Sequence, residues 1–348
     1  TTTTAVSTAM QAIDAKDANV NVTVNDADLG LATADNVTAL NALMGATTGT
    51  ITATVNGNSA ILGALQATGT GGNTQTLTIV VNDATTVDNG AAIAAATGAG
   101  TVNFSAGGVS DVYAKIITST ALTANMQAVD AKDADVNVAI TDTVVVDANA
   151  VTALNTLRDD TNGTTGQVTA TINGTAAVLA TLDAASASDS ALTITVNDVA
   201  TAAEGAAIVA ATDSATVDFS AAGVSDSFGN LTTTTAVSTA MQAIDAKDAD
   251  VNIVVNAAVT TASANNVTAL NALMSATTGN VTATVSGDGA ELDGLQANSG
   301  NNQVLTITVD DAMTGSAGVT SLNAIAASTS GTVTAAAVSG NSADLASL

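Results

Sequence analysis

The chain has no cysteine, histidine, proline or tryptophan, and only one tyrosine and three phenylalanines in 348 residues. Without cysteine there is no disulfide framework and no thiolate metal site. Without cysteine and histidine, nucleophile–imidazole triads and the usual nitrogen–sulfur zinc sites are excluded. Basic residues are nearly missing: five Lys and Arg stand against 31 Asp and Glu, a formal net charge of −26. Phosphate backbones are held by Lys and Arg, so nucleic acid is excluded as a partner. A carboxylate pair alone could carry glycoside chemistry, but a sugar cleft with several aromatic platforms cannot be built from so few rings, and no enzyme activity is expected. No apolar run approaches the ~20 residues of a membrane-spanning helix. Neither an initiator methionine nor a signal peptide is present, and the chain opens on Thr1–Thr4, so a longer parent polypeptide is expected.

Apolar residues make up 47% of the chain, too many for a disordered acidic tail. Most are Ala and Val, with Leu and Ile at intervals, which suits thin, close-packed layers better than one large core. Glu204 and Glu291 are the only glutamates; every other acid is aspartate.

Repetition organises the whole chain. Residues 1–24 (TTTTAVSTAMQAIDAKDANVNVTV), 117–140 (ITSTALTANMQAVDAKDADVNVAI) and 231–255 (LTTTTAVSTAMQAIDAKDADVNIVV) are near copies, marked by Met10, Met126 and Met241. They divide the chain into long repeats 1–116, 117–230 and 231–348. Inside each, short β-branched runs recur: 20–25, 51–56, 77–82 and 102–106, then 136–142, 168–173, 192–197 and 217–221, then 251–256, 281–286, 305–310 and 333–338. These twelve runs advance by about 28 residues per step. Between them lie segments of helical period. Val37, Leu40 and Met44 share one face, as do Val6, Met10 and Ile13, and Ile61, Leu62 and Leu65. Asn, Asp or Ser precedes most of these segments, as an N-cap would. Gly49, Gly166, Gly279 and Gly331 follow helical segments and are expected to stop them.

The pattern predicts an α/β solenoid: about twelve helix–strand coils forming one continuous parallel β-sheet, with helices stacked along the other side. At about 4.8 Å per strand the rod would be roughly 60 Å long. An all-β solenoid is the closer alternative, and tandem immunoglobulin-like domains the more distant one. Residues 319–348 track 37–65, so the chain ends in mid-coil and continuation is expected there too.

Three groups of residues are candidates for chemistry. The acidic turns Asp14/Asp17, Asp130/Asp133/Asp135 and Asp245/Asp248/Asp250 each lie between a helix and a strand. Clustered carboxylates supply the hard oxygens Ca²⁺ requires, although EF-hand spacing is absent. The alternative is a solvated turn with Lys16, Lys132 or Lys247 pairing locally. Asn25-Asp26, Asn82-Asp83, Asn197-Asp198 and Asp310-Asp311 close the strands; stacked Asn side chains would satisfy the bend and Asp would cap the next helix. Glycosylation sequons occur at Asn21, Asn36, Asn103, Asn162, Asn173, Asn230, Asn266 and Asn280, with Asn21 and Asn103 inside predicted strands.

The segments VTALNALMGATTGTITATVNGNSAILGALQ (37–66) and TLTIVVNDA (76–84) resemble the repeats of giant acidic cell-surface proteins of bacteria, marine cyanobacteria in particular. That resemblance implies secretion, an extracellular or cell-surface location, and a structural role in a surface layer, sheath or filament; the alternative role is the stalk or spacer of a giant adhesin or surface-motility protein. Neighbouring copies of the same chain, divalent cations and cell-surface polysaccharide are the partners it suggests. In strong salt the Debye length shrinks to a few ångströms (~3 Å at 1 M), so repulsion between such acidic chains would fade.

Overall fold

The computed structural model describes residues 6–25, 32–104, 107–160, 166–186, 190–219, 222–260, 263–298, 300 and 302–348. Asp26 and Asn162 lie outside them. Helices and strands alternate along the chain. Strands β1 (Val22–Val24), β2 (Thr50–Gly57), β3 (Thr74–Val81) and β4 (Thr101–Asn103) form one sheet in chain order. A second contains β5 (Val109–Asp111), β6 (Val138–Val145), β7 (Val168–Gly174), β8 (Ser190–Val196) and β9 (Val217–Asp218). The third runs β10 (Val224–Asp226), β11 (Ile253–Val255), β13 (Val281–Gly287), β14 (Gln303–Thr314) and β15 (Val333–Ser339), with β12 (Val259–Thr260) also paired to β13. The strands are parallel, and helices connect most consecutive ones, those from β4 to β5, β9 to β10 and β11 to β12 excepted. Contacts divide the chain into two compact units, residues 1–172 with 185–192 and residues 173–184 with 193–348. The boundary crosses β7 and β8.

One continuous solenoid sheet is therefore not what forms; the fold is mixed α/β with three separate parallel sheets, and it is neither all-β nor a set of immunoglobulin-like sandwiches. The cause is local. The run at 102–106 was expected to be one strand, but only Thr101–Asn103 pairs with β3. The chain then turns: the N–H groups of Gly107 and Gly108 both donate to the Phe104 carbonyl, and Gly108 adopts φ +65°. A new strand, β5, starts at Val109 and pairs forward with β6. Among the described residues an isolated parallel bridge, Thr85 to Val109, links the ladders across this break within the first unit. The second unit repeats the device: Gly223 has φ +73°, β10 pairs with β11, and the isolated bridge joins Ala200 to Val224. A Cβ at Gly108 or Gly223 would lie 2.3 Å from the carbonyl oxygen of Asn137 or Asn252, so both the left-handed turn and the close approach require glycine.

Within each ladder the alternation holds. Ile51, Ala53 and Val55 on β2 and Leu77, Ile79 and Val81 on β3 are buried, while Thr52, Thr54, Thr74 and Thr78 point outward. The helix Ala34–Ala46 starts where Thr33 Oγ1 accepts the Asn36 N–H at 3.3 Å, and it buries Val37, Leu40 and Met44 as their spacing predicts. The marker helices differ between copies. In Ala124–Asp130 and Thr239–Asp245, Met126, Val129, Met241 and Ile244 are fully buried; in Thr8–Asp14 nothing is. The buried copies are covered by helices Val87–Thr97 and Ala202–Ala210, which pass closely because Gly90 faces Val129 and Gly205 faces Ile244. Added Cβ atoms there would come within 2.9 and 2.6 Å of those side chains. No helix among the described residues is long and apolar enough to cross a membrane.

Candidate functional site

Two of the three acidic turns, those at 130–135 and 245–250, hold their helix–strand segment to the one before it. Asp133 Oδ2 accepts the Phe104 N–H at 2.6 Å, and Asp248 Oδ2 accepts the Phe219 N–H at 2.7 Å. The lysine in each turn reaches the same preceding coil. Lys132 Nζ donates to the carbonyls of Gly98 (2.6 Å) and Gly100 (3.5 Å), and Lys247 Nζ to those of Asp213 (2.7 Å) and Ala215 (3.3 Å). Local Asp–Lys pairing was the expectation; instead both members of the D-A-K-D turn address backbone groups about one coil back. The reason is geometric: parallel coils place each turn directly beside the irregular backbone that precedes and follows the previous short strand, where N–H and C=O groups would otherwise lack partners.

Burial sets the electrostatics here. It pushes the Asp133 carboxyl up to about 6, helped by hydrogen bonding to the neighbouring Asp135. Asp248, only 6% exposed, is pushed up to about 6 mainly by burial, with Asp250 adding to the effect against the Phe219 N–H. Burial also raises Asp245. Of the other predicted calcium ligands, Asp130 is half-buried at the end of its helix, and Asp17 is exposed with Oδ1 accepting the Asn19 N–H at 3.3 Å beside a half-buried Asp14. Among the described residues no three acidic side chains gather where they could hold a metal ion. Asp133 stands beside Asp135 and Asp248 beside Asp250, and Asp133 and Asp248 are each engaged with a backbone N–H.

The strand-end aspartates do cap helices, but not the helix that follows. Asp83 Oδ1 accepts the Ser59 N–H (2.7 Å), Asp198 Oδ1 that of Ala176 (2.6 Å) and Asp311 Oδ1 that of Gly289 (2.7 Å). Each of these N–H groups opens a four-residue helix in the preceding coil. Asp111 and Asp226 do the same for Val87 and Ala202, and Asp142 for Tyr113. Asn82 donates to the Asn56 side chain at 2.5 Å, so asparagine stacking at the bend is present. Asn21, Asn137 and Asn252, equivalent in the three long repeats, accept the N–H groups of Thr50, Gln167 and Asn280.

A third clamp escaped the sequence reading. Thr47, Thr277 and Thr329 are the first threonine of A-T-T-G, A-T-T-G and S-T-S-G. Thr47 Oγ1 donates to the Val20 carbonyl at 2.7 Å, Thr277 Oγ1 to that of Val251 at 2.7 Å, and Thr329 Oγ1 to that of Leu305 at 2.9 Å. Each hydroxyl also accepts the N–H of the glycine two residues on. Those glycines do not stop helices; the helix Ala34–Ala46 already ends at an extended Thr47. A Cβ on Gly49, Gly279 or Gly331 would lie 2.3 Å from a carbonyl oxygen of the previous coil. The recurring T-x-G following an apolar helix was the available signal.

Taken together, these side chains satisfy backbone groups of neighbouring helix–strand segments. Comparison with protein-family models, curated proteins and solved structures finds no match to this chain.

Proposed function

We propose that this chain is a structural segment of an extracellular surface layer, sheath or filament, built up from neighbouring copies of itself. The observation that carries this reading is a set of uncharged hydroxyl ranks on outward sheet faces of a chain of net charge −26. In the first unit the in-register pairing lines up Thr23, Thr52 and Thr76 in one rank and Thr54, Thr78 and Thr101 in the next. Thr50 and Thr74 stand beside them with hydroxyls 2.8 Å apart. In the second unit Thr284 pairs with Thr306, and Ser286, Thr308 and Thr334 form a rank. Like charges directly opposite one another destabilise a ladder, which favours neutral β-branched residues here. The same choice leaves a face on which two acidic chains meet with least repulsion. Divalent cations and strong salt would screen the aspartates around it.

Sedimentation velocity in seawater-like salt, with millimolar calcium and with a chelator, tests this. Growth into large ordered species, seen also by electron microscopy and suppressed by Thr54→Glu, supports assembly through the threonine face. A stable monomer in both buffers would reject self-assembly and leave the stalk or spacer role.

A further inference from the structure

The long repeats serve as internal controls, because a feature present in one copy alone is not required by the fold. The sole tyrosine is such a feature. Tyr113 opens the helix Tyr113–Ile116 near the end of the first repeat, and the corresponding helix at the end of the second, Phe228–Leu231, carries phenylalanine at that position. Tyr113 lines an open groove of about 430 Å³ in the first unit, between its own helix with the following Thr118–Ser119 and the segment from Val145 to Ala150. That volume lies within the ~300–1,000 Å³ of small-molecule sites.

The groove has two kinds of wall. One is apolar: the half-buried Tyr113 and Val145, whose side chain is 75% exposed and belongs to no core. The other is polar: Asp147, Asn149 and the hydroxyls of Thr118 and Ser119. The arrangement is anchored from behind. Tyr113 N–H donates to Asp142 at 2.6 Å, and Asp147 Oδ1 accepts the Ala150 N–H at 2.8 Å, fixing the start of the helix Ala148–Asp160. Burial, and then the charge of Asp147, raise the Tyr113 hydroxyl above its ordinary range, keeping it a neutral donor.

An apolar ring face beside a carboxylate, a carboxamide and two hydroxyls matches a molecule with C–H groups on one face and vicinal hydroxyls at its rim. We propose that the Tyr113 groove is a binding site for a neutral pyranose unit of a polysaccharide. The C–H face of the sugar lies on Tyr113 and Val145, and its hydroxyls bond Asp147 and Asn149. No Lys or Arg lines the groove, and Asp147 on a chain of charge −26 repels uronates and sulfated sugars. One ring makes a binding subsite, not a cleft for glycoside cleavage. The site stands whether or not the chain assembles.

With one tyrosine and no tryptophan in the chain, tyrosine emission reports on this groove alone. The full chain is titrated with glucose, galactose, mannose and N-acetylglucosamine, with a neutral β-linked tetrasaccharide, and with galacturonate. Expected is a saturable emission change with at least one neutral sugar, tighter for the tetrasaccharide, one site per chain, and none with galacturonate. Asn149→Ala and Asp147→Asn should weaken it at least several-fold; asparagine retains the helix cap and alanine suits the first helical turn, so both variants should fold. No saturable response to any neutral sugar, an equal response to galacturonate, or unchanged affinity in both variants would overturn the proposal. So would emission that follows protein concentration and ignores sugar, which would place a second copy of the chain in the groove.

Discussion

Replacing Asp248 separates two roles for the acidic turns. Its Oδ2 accepts the N–H of Phe219, a residue with no exposed surface, at 2.7 Å. Asp248→Ala removes the acceptor and strands that N–H away from water, at a cost of about 1–3 kcal/mol. Asp248→Asn keeps an acceptor oxygen and removes the charge. Since burial holds the carboxyl up to about 6, the carboxylate present at pH 7.5 carries a desolvation cost relative to the unfolded chain, and losing its charge should be neutral or mildly stabilising. The expected order of local stability is Asn at least equal to wild type, with Ala well below. Hydrogen exchange followed by mass spectrometry on the peptide containing Phe219 is the appropriate assay, because it reads local opening around the clamped N–H as well as global unfolding. In Asp248→Ala that peptide should exchange roughly 5- to 150-fold faster, while peptides from the first long repeat stay unchanged. If Asn proved as damaging as Ala, the charge itself would be required, as for a cation ligand, and the backbone-clamp account would fail. An Ala variant exchanging like wild type would dismiss the hydrogen bond.

Other consequences can be checked separately. Asp133 and Asp248 titrate near 6 in the folded chain and near ordinary aspartate values when unfolded, so the folded state binds more protons between about pH 4 and 6. Stability should therefore rise as pH falls from 7.5 to 5, by about 1 kcal/mol per group once solvent screening is allowed for; urea unfolding of wild type and an Asp133→Asn/Asp248→Asn pair should show the double variant flattening that rise. Thr277→Val deletes a hydroxyl bound to the Val251 carbonyl and the Gly279 N–H and should cost about 1–3 kcal/mol by the same unfolding assay; a change near zero would mean that water replaces the clamp. Gly223→Ala combines a positive φ with a 2.3 Å approach to the Asn252 carbonyl, and should cost more than ~1 kcal/mol while loosening the amides of Val224–Asp226 in hydrogen exchange; native-like exchange there would refute the need for glycine at the break.

The sequence alone determined the faces of the longer elements, though not the short strands β5, β10 and β12. Alternation in 51–55 and 77–81 marked buried and outward faces of β2 and β3, and the spacing of Val37, Leu40 and Met44 marked the buried side of a helix, because these periods follow from strand and helix geometry within a few residues. Near-identity among the three marker segments fixed the repeat frame. Tertiary structure decided what each polar residue does and where the ladders stop. The partners of Asp83, Lys132, Asp133, Asp248 and Thr277 lie 24 to 34 residues away, and a separation of one coil leaves no trace in local pattern. The break at Gly108 was equally hidden: S-A-G-G-V reads as the end of a strand, and only the pairing of β4 backward and β5 forward turns it into a boundary between sheets. Met10 and Met126 occupy the same position in near-identical sequence, yet one is half-buried and the other fully buried. Burial belongs to the coil that packs against a residue, and that coil is set by topology, not by the residue's own sequence neighbourhood.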